Sequence, residues 1–195
     1  MTLAILPSEP LTMTRDLLFT AALFAAITAT AQERYATRTG HISFHSDTPM
    51  EKIEAHNHKA TSVFDATTGA IEMAVLMKGF EFEKALMQEH FNENYVESDK
   101  FPKATFKGKI TGITAEDLKK PGSHAVTVEG DLTMHGVTKP VNATGTMGME
   151  PTGAIRATST FSIKPEDYNI AIPGMVRDNI AKEIVITVQV DHTKM

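Results

Sequence analysis

From Arg34 onward, apolar and polar residues alternate with a period of two. Ile184, Ile186, Val188 and Val190 alternate with Val185, Thr187, Gln189 and Asp191. Ile155, Ala157, Ser159, Phe161 and Ile163 alternate with Arg156, Thr158, Thr160 and Ser162, and Val126, Val128, Gly130, Leu132 and Met134 with Thr127, Glu129, Asp131 and Thr133. Phe106, Gly108, Ile110 and Gly112 form another such row, and Ile71, Met73, Val75 and Met77 one more. This pattern marks antiparallel strands with one dry and one wet face. Turn signals at Thr68-Gly69, Pro121-Gly122, His135-Gly136 and Pro151-Thr152-Gly153 separate the runs. The pattern predicts strands near residues 34–46, 51–65, 69–80, 104–114, 123–135, 138–149, 153–164 and 180–193.

One segment departs from this period. Phe80, Phe82, Leu86, Met87 and Phe91 recur at helical spacing, which predicts a short amphipathic helix after the third strand. Its apolar face would lie over the mouth or side of the strands. Pro165 to Asn179, with Pro165, Pro173 and Gly174, reads as a long loop. Eight strands with one dry face suit a sandwich or a closed barrel, and periodicity does not separate the two. Long unpaired edges invite aggregation, so closure is the expected solution. The expected fold is all-β: an eight-stranded antiparallel, lipocalin-like barrel with one short helix.

The chain has 195 residues, enough for one domain with a substantial core. Its net charge of −5 argues against nucleic acid or an anionic surface as an electrostatic partner. Zero cysteines exclude disulfides, thiolate metal sites and cysteine nucleophiles. Leu17 to Ile27 is an uncharged apolar run, preceded by Arg15 and followed by Ala29-Thr30-Ala31. It is too short to span a bilayer comfortably and fits a secretory leader cleaved before Gln32, with Met13 as an alternative start. The division expected is a leader at 1–31 and a barrel at 32–195, periplasmic or secreted, with no membrane-spanning segment once the leader is removed.

Candidate chemistry is sparse. His41, His45, His56 and His58 fall on the first two strands, and a hairpin could bring them together as a nitrogen-rich zinc or copper site. A solvated strand face explains the same residues. Ser43, Ser46, Ser62 and Ser98 occur without a nucleophile elbow, and no glycine-rich loop opens a helix in phosphate-binding fashion. No catalytic residue is assigned, and a non-enzymatic binding protein is expected.

The segment Gly130 to Val141 (GDLTMHGVTKPV) reads as a hairpin turning at His135-Gly136, where Gly136 can take a positive φ and Pro140 suits an edge. As a string it closely resembles the signature hairpin of the YceI-like family, periplasmic β-barrels associated with polyisoprenoid lipids. Phe101 to Phe106 (FPKATF), Phe161-Ser162-Ile163 followed by Asp167 to Ile170, and Glu183 to Val188 resemble further segments of that family in the same order. The resemblance runs from about Arg34 to Val190. It departs at Ile42 to His45 with the following Asp47 to Asn57, and at Phe82 to Leu86, where many relatives carry other residues, so the chain resembles a divergent branch.

The resemblance implies an isoprenoid lipid, a quinone or polyprenyl derivative, held in an apolar interior, with no other cofactor. Lining residues are then expected among the inward rows: Phe44, Ile71, Met73, Val75, Met77, Phe106, Ile110, Val128, Gly130, Leu132, Met134, Gly145, Met147, Phe161, Ile186 and Val188. Methionines adapt to irregular apolar shapes, and small inward residues leave volume to be filled. Phe80, Phe82, Leu86, Met87 and Phe91 would close one end, and Lys100, Lys103 or Arg177 would meet a head group. The rivals are a metal- or stress-related binding protein built on the histidines and an interaction barrel packed by its own side chains. A homodimer is compatible with either barrel.

Overall fold

A computed structural model describes residues 33–195; the leader expected at 1–31 lies outside the described residues. Nine strands form one antiparallel sheet: β1 (Arg34–Asp47), β2 (Lys52–Asp65), β3 (Ala70–Leu76), β4 (Glu81–Phe82), β5 (Lys103–Thr111), β6 (His124–Met134), β7 (Val137–Met149), β8 (Ile155–Ile163) and β9 (Ile184–Lys194). Their order is β1-β9-β8-β7-β6-β5-β3-β2-β4, and β1 also pairs with β2. That last pairing closes eight strands into a barrel and leaves β4 as a two-residue addition beside β2. The expected eight-stranded closed barrel is therefore the fold.

The strand set differs from the pattern at its ends. The third strand stops at Leu76, where a 3₁₀ turn over Met77–Gly79 begins and the Met77 N–H donates to the Pro102 carbonyl at 2.9 Å. The chain then crosses the barrel end through β4, a short helix α1 (Ala85–His90) and a π turn over Phe91–Tyr95. The last strand starts at Ile184, because Gly174–Asn179 forms a further 3₁₀ segment.

The hairpin between β6 and β7 has a two-residue loop. His135 and Gly136 take φ values of 50° and 75°, and Met134 pairs with Val137. Two successive positive φ values make a turn whose twist matches that of paired strands. His135 is anchored on both sides: Nδ1 faces the Tyr168 carbonyl and Nε2 the Glu97 carboxylate, each at 2.9 Å. Phe101 packs edge-on against its ring with centroids 4.5 Å apart. The most recognisable string in the sequence is thus a turn that fastens two loops at one end of the barrel.

The interior has two packed regions. One end holds Tyr35, Phe64, Ile71, Ile110, Val126, Met147, Ile155 and Val190, with Leu118 from a 3₁₀ turn as a plug. The other holds Ala55, Val75, Met77, Phe80, Val96, Leu132 and Met134, with Tyr168 and Ile170 from the loop after β8. Gly40 lets β1 fold tightly over the first end. A Cβ there would lie 2.7 Å from Val190 Cγ1, and the β1–β2 register shifts on both sides of it.

Candidate binding cavity

Between the two packed regions lies a cavity of about 340 Å³, the lower part of the ordinary ligand-pocket range of about 300–1,000 Å³. Its lining is almost wholly apolar. Phe44, Ile71, Met73, Val75, Met77, Phe106, Ile110, Val128, Leu132, Met134, Phe161, Ile186 and Val188 line it, as does the cap of Phe80, Phe82, Met87 and Phe91. Alternation along each strand places these side chains inward. The cap is an aromatic cluster: Phe44, Phe80, Phe82 and Phe91 stand with ring centroids 5.1–5.8 Å apart. Aromatic pairs in such geometry contribute about 0.5–1.5 kcal/mol each beyond their burial, so this end is held without disulfides.

Four expected lining residues lie elsewhere. Leu86 is 61% exposed, because α1 turns Met87 inward and leaves its neighbour outside. Met147 has the expected inward parity but is wholly buried in the packed end cluster. Gly130 pairs with Gly108, and the Phe106 ring covers both; a Cβ at either would meet Phe106 Cζ at 2.7 Å. The volume that these glycines leave is therefore filled by Phe106. A Cβ on Gly145 would fall on the Thr158 carbonyl oxygen, so this glycine serves close strand approach. Lining residues outside the expected set include Ile42, Ile53, Val141, Ile163, Ile172, Val176 and Ile180. The alternation in β7 and β8 could have pointed to Val141 and Ile163. Nothing periodic marks the residues from the loop after β8.

The three expected head-group cations are not part of the lining. Lys100 stands 3.9 Å from Glu97 and over the Phe101 ring, Lys103 is exposed on β5, and Arg177 stands 3.9 Å from Glu166. Among the described residues, no lysine or arginine lines the cavity, and Glu51 is its one carboxylate. Glu51 ties three segments together. From the β1–β2 turn it meets Lys84 Nζ before α1 and Asn179 Nδ2 in the 3₁₀ segment, each at 3.3 Å. Ser46 Oγ accepts the Ala181 N–H at 2.9 Å beside it. Tyr95 also lines the cavity, and desolvation pushes its phenol above the ordinary range.

The histidines do come together, on the outer face of β1 and β2. His41 Nε2 and His56 Nδ1 are 3.1 Å apart, and His58 stacks on His41 with centroids 4.4 Å apart. Glu54 approaches His56 at 3.0 Å and His45 at 3.5 Å. Burial, then the charges of His58 and His56, lower the pKa of His41. Among the described residues, no group of three or more histidine, aspartate or glutamate side chains is arranged to hold a metal ion.

The YceI-like domain model matches residues 18–192. The chain belongs to the YceI-like family. A UPF0312 protein of Pseudomonas putida is 32% identical over 98 residues, which is 48% of this chain and 47% of that protein. The chain thus matches about half the length of such curated relatives. A polyisoprenoid-binding domain from Saccharophagus degradans superposes with a TM-score of 0.72 at 12% identity, covering 85% of this chain and all of that one. Burkholderia cenocepacia BcnA gives 0.65 at 17% identity, over 79% of this YceI-like chain and 96% of the other. At such identities these structures share the fold. No helix among the described residues is long and apolar enough to cross a membrane.

Proposed function

We propose that this YceI-like protein binds and carries an isoprenoid lipid, a quinone or polyprenyl derivative, and catalyses no reaction on it. It would act in the periplasm or outside the cell after losing residues 1–31. The observation that carries this reading is the cavity, about 340 Å³ of almost unbroken apolar lining inside a closed barrel. A prenyl tail gains roughly 0.8 kcal/mol per buried CH₂-sized group and asks for no hydrogen bond in return. The relative from Saccharophagus degradans, described as a polyisoprenoid-binding domain, supports the same ligand class.

Organic extraction and mass spectrometry of protein purified from its native host test the reading directly, with a co-purifying isoprenoid as the expected result. Thermal melting of residues 32–195 with added ubiquinone, menaquinone or polyprenyl phosphate gives the strength. A ligand at a hundred times its Kd stabilises by about 2.7 kcal/mol, or roughly 5–10 °C for a domain of this size. Apo protein from the host together with no shift for any isoprenoid would defeat the proposal.

A further inference from the structure

The wall of the barrel is not zipped all the way round. β7 pairs with β6 over its whole length to the turn, from His124↔Met147 to Met134↔Val137. Its pairing with β8 covers only Gly145↔Ser159 to Met149↔Ile155. β8 stays paired with β9 through Ile163. Residues 137–144 of β7 and 160–163 of β8 therefore face each other without a ladder. Ser159 marks the fork, where its hydroxyl donates to the Thr144 carbonyl at 2.9 Å. In an antiparallel sheet every second residue turns its N–H and C=O toward a given neighbour, so both strands present unused backbone groups to the gap. Pro140, which has no N–H, sits within this unzipped stretch.

The gap is a cleft of about 650 Å³. Val141, Ala143, Phe161 and Ile163 line both this cleft and the internal cavity, so the two spaces share a wall. The cleft differs in character from the cavity, because Lys139, Asn142, Thr144, Ser162, Lys164 and Asp167 border it. Its far end is fixed by the 3₁₀ turn Pro165–Tyr168, which His135 holds through the Tyr168 carbonyl.

Building on the carrier reading, we infer that the β7–β8 gap is the lateral portal through which the isoprenoid enters, and the place where its oxygen-bearing head stays once the tail is inside. Carbonyl or hydroxyl oxygens of the head take up the backbone groups that β7 and β8 leave unpaired. The cleft is bordered by exposed polar residues, so an oxygen-bearing head can meet strand N–H groups there without the desolvation that a dry apolar wall would impose. The main cavity has no lysine or arginine in its lining; Glu51, Ser46 and Asn179 there already hold neighbouring segments, which leaves His90 and Tyr95 among the polar groups a head would otherwise meet.

The chain has no cysteine, so an engineered pair reports without interference. Continuing the β7–β8 register past Gly145↔Ser159 places Asn142 opposite Ser162. The Asn142→Cys/Ser162→Cys variant is bridged by a disulfide or a short bis-methanethiosulfonate reagent. Thr111→Cys/Thr127→Cys, a β5–β6 pair already joined in the ladder and outside the lining of both cavity and cleft, is the control. Uptake of ubiquinone from phosphatidylcholine vesicles is followed by extraction of the reisolated protein. Bridging across the gap is expected to slow uptake at least tenfold, reduction to restore it, and the control to behave as wild type. Amides of residues 137–144 and 160–163 are expected to gain hydrogen-exchange protection in the loaded protein. Uptake by the bridged variant as fast as by its dithiol form, or an equal loss in the control, overturns the portal. Unchanged amide protection on loading overturns the head site. Failure of unmodified protein to take up any isoprenoid is a separate result and defeats the carrier reading as well.

Discussion

Val188→Phe tests whether the interior holds space or only side chains. Val188 points inward from β9, pairs with Ser159 on β8 and Ile42 on β1, and is only half-buried although it lies inside a closed barrel. The surface it leaves uncovered is therefore cavity surface. The substitution adds four carbon atoms. They would project into the cavity of about 340 Å³, in space that a bound tail would otherwise use. If they enter empty space, their burial contributes up to roughly 3 kcal/mol at 0.8 kcal/mol per group. In a filled core the same ring would overpack and cost about 1–3 kcal/mol. The two cases differ in sign, which makes chemical denaturation of the apo protein decisive. The expected result is an unchanged or raised denaturant midpoint together with loss of the melting-temperature gain from added isoprenoid quinone. An unfolding free energy lowered by more than about 1 kcal/mol, with the lipid response of wild type intact, would refute the reasoning.

Three other perturbations follow from particular residues. Gly136→Val places a β-branched side chain at φ 75°, with its Cβ 2.7 Å from Phe101 Cε1; the strain costs roughly 1–3 kcal/mol, and a neutral denaturant midpoint would contradict the turn geometry. His192 is completely buried, with Nε2 2.8 Å from Ser62 Oγ. Burial lowers its pKa, opposed in part by the Ile155 backbone and the Asp191 carboxylate. Below about pH 6.5, the ordinary imidazole value, the unfolded chain takes up a proton that the native chain refuses. Stability should therefore fall as pH drops from about 6.5 toward the folded pKa. His41, also lowered, acts in the same direction. His192→Gln should flatten the slope of stability against pH, and an unaltered slope would exclude this source. Expression with the native leader in a Gram-negative host should give a mature N-terminus at or within a few residues of Gln32; recovery of a soluble, functional protein that retains residues 13–31 would remove the export proposal.

Strand number, inward parity and the turn at His135-Gly136 could be read from the chain because each is local. A period of two reports which face is dry, and a glycine after a polar residue reports where the backbone can take positive φ. These rules place Phe44, Met73, Val75, Phe106, Leu132, Phe161 and Val188 on the cavity side, where they are. Barrel closure followed from the argument about edges, and the β1–β2 pairing supplies it. What parity leaves open is depth along the strand and the neighbour across it. Met147 and Met134 share a parity rule, yet one is sealed into the packed end and the other lines the cavity. Gly130 and Gly145 look like spare volume in sequence, but a ring covers the first and a carbonyl crowds the second. A short helix was legible, but Phe80 and Phe82 precede it and Phe91 follows it; its orientation, which leaves Leu86 outside, goes with the packing of Phe91 on Phe44 and Phe80. The unzipped β7–β8 seam has one local trace, Pro140. Its extent depends on how two strands diverge around the 3₁₀ turn at Pro165–Tyr168. A linear pattern records the environment of each residue. Which distant residues share that environment, and where they fail to meet, is fixed only when the sheet closes.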